Sequence, residues 1–115
     1  MRTAGNGDFP VEVEGMGRFI FARKTMRDVY AIRGEYAAVT SNNFTEEGGF
    51  ADIGALAFIT LNRLMVSAPS DFDLAGLDPV TDDDAEPKIV KVFLALREKE
   101  LSFRPQPKAD GAAEG

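Results

Sequence analysis

Cysteine, histidine and tryptophan are all missing from the 115 residues. Without thiols and imidazoles there are no disulfides, no thiolate nucleophiles, no imidazole bases and none of the commonest zinc, copper or iron ligands. Most enzyme classes go with them, and no catalytic, cofactor or metal site is expected. A long apolar run is lacking too. The longest, Ile53 to Leu61, falls well short of the ~20 residues that span a bilayer. The opening stretch MRTAGNGDFPVEVEG has no apolar secretory core. The expectation is a cytoplasmic protein with no membrane contact.

Positive charge is in short supply. Thirteen basic residues face nineteen acidic ones, for a net charge of -6. Residues 1–40 are nearly balanced, with six basic and five acidic groups, whereas 41–87 carry ten acidic groups against one base, Arg63. Such a chain repels phosphate backbones, and the small cluster Arg18, Arg23, Lys24 and Arg27 does not reverse this, so nucleic-acid binding is not expected. At 44% hydrophobic and 28% charged, the composition is that of a folding chain, long enough for one core and one domain.

The pattern divides into a polar, Gly-rich N-terminus (1–8), an ordered domain (9–104) and a tail (105–115) rich in Pro, Gly and Ala, both ends being expected to be disordered. Val11 and Val13 alternate with Glu12 and Glu14, Gly15-Met16-Gly17 reads as a tight connection, and Phe19 and Phe21 alternate with Ile20 and Ala22, which predicts a β-hairpin. Thr25 followed by Asp28 is a capping-box variant opening a helix to about Val39, with Val29, Ile32, Tyr36 and Val39 on one narrow stripe. A loop from Thr40 to Phe50 follows. A second helix is predicted from Phe50 to Val66, apolar almost all round and therefore central, stopped by Ser67-Ala68-Pro69. Beyond the acidic connector Ser70 to Glu86, a third helix begins around Pro87 and reaches Phe103. The predicted fold is α+β, an N-terminal hairpin followed by three helices.

The third helix carries two stripes. Ile89, Val92, Phe93, Leu96 and Phe103 form one, which makes core, and Val90, Leu94 and Leu101 form a second, which is the candidate protein-binding surface for a client or for self-association. Asp71 to Asp82 matches parts of a calcium loop at Asp71, Asp73, Gly76 and Asp82. Ala75 offers no oxygen where a ligand is needed, Asp78 occupies an apolar position and Pro79 breaks the backbone path, so the stretch reads as turns and a helix start. Glu46 and Glu47 are adjacent in a loop, a poor frame for holding two acids across a substrate.

The run Arg18 to Asp28, a strand leading into a capped helix, is followed by Leu64-Met65-Val66-Ser67-Ala68-Pro69, Leu77-Asp78-Pro79, and Ala95 to Glu100 ending in Phe103-Arg104. In that order and spacing, over about Val11 to Arg104, the chain resembles the tail assembly chaperones of long-tailed bacteriophages and prophages. The resemblance implies a small helical, non-enzymatic protein of the bacterial host cytoplasm. It would bind the tape measure protein, help recruit tail tube protein and stay out of the finished virion; self-association into a homo-oligomer is an expectation from the second stripe of the third helix alone. A structural tail-completion or connector subunit retained in the virion is the alternative.

Overall fold

The computed structural model describes residues 2–40 and 48–104, the side chains of 40 and 48–52 excepted. Among these residues the chain runs β1 (Phe9–Val13), β2 (Gly17–Phe21), α1 (Met26–Thr40), α2 (Gly48–Leu64), β3 (Met65–Ser67) and α3 (Ala85–Ser102). The fold is the expected α+β arrangement, with a third strand added.

Alternation builds the sheet. Phe9, Val11 and Val13 are buried while Pro10 and Glu12 are exposed, and antiparallel pairing sets Phe9 opposite Phe21 and Val11 opposite Phe19. Phe9, Val11, Val13, Phe19 and Phe21 therefore fall on one face. Gly15 and Gly17 take positive φ of 80° and 122°, and the Met16 N–H donates to the Val13 carbonyl at 2.9 Å. This left-handed backbone is open to glycine at little cost. Phe19 and Phe21 are fully buried, and the connector reaches back to cover them: Phe72 packs edge-on against Phe19 with ring centroids 5.1 Å apart.

The second helix ends earlier than the sequence pattern predicts. It stops at Leu64, and Met65–Ser67 pair antiparallel with Phe21 and Ile20 as β3. Pro69 would in any case deny a helix the N–H bond to the Met65 carbonyl. Those last residues do better on the open edge of β2, where the Ala22 N–H also donates to the Leu64 carbonyl at 2.9 Å. Nor is α2 covered all round: Ala57, Leu61 and Leu64 are fully buried, but Phe58 is 40% exposed. The helix lies between α1 and α3 and packs on both, leaving one side bare.

Within residues 1–8, Arg2 reaches the body of the fold. Its N–H donates to the Met65 carbonyl at 3.0 Å, and its guanidinium reaches Asp28 at 3.1 Å. Of the expected Thr40 to Phe50 loop, Thr40 closes α1 and Gly48 to Phe50 open α2. Residues 41–47, including Glu46 and Glu47, and the 105–115 tail lie outside the described residues.

α1 begins with the capping box read from the sequence. The Asp28 N–H donates to Thr25 Oγ1 at 3.2 Å, and the Thr25 N–H donates to Asp28 Oδ2 at 2.9 Å. α3 starts at Ala85, just before the expected Pro87. Asp84 makes no side-chain cap bond; instead the Asp82 carboxylate accepts the Asp84 N–H at 2.9 Å and pairs with Lys88 at 2.9 Å. The Lys88 bond, with the Asp84 N–H, holds the Asp82 carboxyl below its ordinary range.

Candidate protein-binding groove

α1 and α3 each rest on α2, and between them lies a groove of about 680 Å³. Leu56 and Thr60 of α2 line it together with Phe9 of β1; Val29, Ile32, Arg33 and Tyr36 come from α1, and Phe93, Arg97, Glu100 and Leu101 from α3. Arg23, Lys24, Phe103 and Arg104 complete it. The narrow stripe on α1 makes this possible. Ile32 is buried, Val29 and Tyr36 are only half-buried, and a helix with so little apolar face leaves its neighbours partly uncovered.

The lining pairs an apolar surface with cationic groups. Phe103 sits edge-on to Phe9 with centroids 5.0 Å apart, and Arg23 lies over the Phe103 ring at 4.5 Å. Arg97 lies 5.9 Å from the Phe93 ring and Arg33 5.7 Å from that of Tyr30. Stacking of this kind steadies a guanidinium while leaving its edge donors available. Glu100 is the acid of the lining; its Oε1 pairs with Lys24 at 3.4 Å, while Oε2 is buried without a hydrogen-bond partner. Arg23, Arg33, Arg97 and Arg104 make no ion pair among the described residues. On a chain of net charge -6, this is a local concentration of positive charge.

The sequence-derived stripe divides here. Leu101, 49% exposed, lines the groove; Leu94, 51% exposed, lies outside its lining; and Val90 is half-buried and packs against the core. The basic cluster divides as well. Arg23 and Lys24 line the groove, whereas Arg18 pairs with Glu12 across the hairpin at 3.7 Å. Sequence reasoning missed the convergence of Arg23 and Arg33 with Arg97 and Arg104, which are more than sixty positions apart along the chain. The one local signal was Arg97 recurring seven residues before Arg104, both beside the apolar stripe of α3.

The acids of the connector are engaged locally. The Val80 N–H donates to Asp78 Oδ1 at 2.9 Å, which with further bonds from Thr81 holds the Asp78 carboxyl below its ordinary range. Asp82, Asp83 and Asp84 cluster at the start of α3, where Asp82 is already bonded to Lys88 and the Asp84 N–H. The helix dipole and these bonds give the cluster a structural role.

A second charged feature braces the fold. Asp28, 2% exposed, accepts from Arg2 at 3.1 Å, from Arg63 at 2.7 Å, and from the Thr25 N–H and hydroxyl at 2.9 and 3.1 Å. Burial alone would raise this carboxyl, but the Thr25 N–H, the two guanidiniums and the hydroxyl together hold it well below the usual carboxylate range. The N-terminus, α1 and the end of α2 meet at this one charge. Comparison with family models, curated proteins and solved structures finds no match for the chain. Among the described residues no helix is long and apolar enough to cross a membrane.

Proposed function

We propose that this chain is a tail assembly chaperone of a long-tailed bacteriophage or prophage. It works in the host cytoplasm by binding the tape measure protein and helping to recruit tail tube subunits, and its role is binding, not catalysis. One structural observation carries the binding role: the groove between α1 and α3, apolar in its lining and with exposed arginines at its edges. A groove of this form suits an amphipathic helix laid lengthwise with its apolar face inward. The identity of the client rests on the residue runs that resemble the chaperone family: Arg18 to Asp28, Leu64 to Pro69, Leu77-Asp78-Pro79, and Ala95 to Glu100 ending in Phe103-Arg104.

The test has two parts. Co-expressed with the tape measure protein of the same phage, the tagged chain is expected to co-purify with it through a sizing column. Mass spectrometry of purified particles is expected to find the chain missing. Its stoichiometric presence in the virion would establish the alternative, a tail-completion or connector subunit. Failure to capture the tape measure protein would refute the chaperone role.

A further inference from the structure

We infer that the groove takes an acidic amphipathic helix from a protein partner, with its apolar anchors inward and its carboxylates along the edges. The inference deepens the chaperone reading and rests on it for the partner's name. The chemistry comes from charge complementarity. Arg23 and Arg33 on one side and Arg97 and Arg104 on the other have no ion pair among the described residues, and Glu100 already faces Lys24. The rest of the chain is acidic, above all residues 41–87. A basic helix entering the groove would meet like charges at its edges, which costs affinity and suppresses wrong partners. An acidic helix instead finds four guanidinium groups, each able to take a carboxylate in bidentate fashion.

The apolar lining argues for a protein helix over a nucleic acid. Phosphates would satisfy the arginines but leave the half-buried Leu56 and the exposed Leu101 and Phe103 uncovered. An amphipathic helix covers both kinds of surface at once, through anchors at i, i+3 or i+4 and i+7. Leu101 and Phe103, 49% and 39% exposed, are the most exposed apolar side chains of the lining.

The experiment uses the full chain and two fluorescein-labelled synthetic helices of about 18 residues, roughly 27 Å long. Both carry leucines at i, i+3 and i+7; one has glutamates beside them and the other lysines. Fluorescence anisotropy is expected to show the glutamate helix binding at least about tenfold tighter, with the difference shrinking as salt rises, because the edge pairs are exposed and screened. Arg33→Glu combined with Arg97→Glu, checked for an unchanged melt, is expected to reverse the preference toward the lysine helix. That reversal separates a charge-reading groove from general stickiness.

Equal binding of the two helices, no binding of the glutamate helix, or an unaltered preference in the double variant would overturn the inference. A labelled oligouridylate binding more tightly than the glutamate helix at the same salt would assign the site to nucleic acid. Competition by a peptide of residues 105–115, or dimers in sedimentation that the double variant abolishes, would assign it to this chain's tail or to a second copy. Each of these also overturns the inference. No tape measure protein enters the assay, so its failure and a failure of the chaperone reading are distinguishable.

Discussion

Asp28→Asn removes one negative charge from a site where two guanidiniums converge and keeps almost the same side-chain volume. The amide oxygen can still accept the Thr25 N–H, and the backbone N–H of residue 28 still donates to Thr25 Oγ1, so the capping box survives. The loss falls on the bonds from Arg2 and Arg63, at 3.1 and 2.7 Å. Charge-assisted bonds are worth about 1.5–3 kcal/mol each, which sets an upper bound of about 6 kcal/mol for the pair. The side chains of Arg2 and Arg63 are 33% and 35% exposed, so water recovers part of that, and a net cost of about 2–3 kcal/mol is expected. For a domain of this size that lowers Tm by roughly 10–20 °C, read by circular dichroism. The pH dependence supplies an internal control. Because the folded-state carboxyl is held well below its ordinary range, its contribution is complete above the unfolded pKa of about 4 and fades as pH falls toward the folded value. The gap between wild type and Asp28→Asn should therefore be widest at neutral pH and narrow steadily below about pH 4. A variant within about 0.5 kcal/mol of wild type at pH 7, or a gap that stays constant into acid, would refute the account of this cluster.

Two glycines should respond in opposite directions in urea titrations. Gly17→Ala places a Cβ at φ 122° and 2.9 Å from Pro69 Cγ, and should destabilise by about 1–3 kcal/mol. Gly34→Ala, within α1 and with nothing within 4 Å of the new Cβ, should stabilise by about 1 kcal/mol; the reverse order would contradict the turn geometry. Leu94→Asp, at a side chain 51% exposed, should keep a cooperative melt within about 1 kcal/mol of wild type, whereas Leu96→Ala, fully buried, should lose about 2–5 kcal/mol. Unfolding of Leu94→Asp would show that this part of the stripe is core.

The elements that local rules specify were legible in the sequence. Alternation at Val11 and Val13, two glycines at the turn, and a hydroxyl three residues before a carboxylate are short-range signals, and each produced the expected hairpin or helix start. β3 was not legible in the same way. Met65-Val66 extends the apolar pattern of α2, and only the open edge of β2, more than forty residues earlier, makes an extended conformation the better choice. Phe72 was hidden for a related reason. It stands among aspartates in a segment that reads as solvated, yet its ring closes the core over Phe19.

Asp28 joins the two cases, because one of its roles follows from a local signal and the other does not. As the third residue after Thr25 it is a capping residue, and a lone surface cap needs no further partner. Arg2 and Arg63 lie 26 and 35 positions away, at separations no periodicity reaches. Arg63, the one base in an acidic stretch of forty-seven residues, was the available signal. A solitary cation there has little solvating role of its own, and its bond to Asp28 fixes the end of α2 against the start of α1. That brace positions α1 beside α2 while the narrow apolar stripe of α1 leaves the groove open. A substitution at Arg63, though the residue does not line the groove, should therefore act on the groove through the placement of α1.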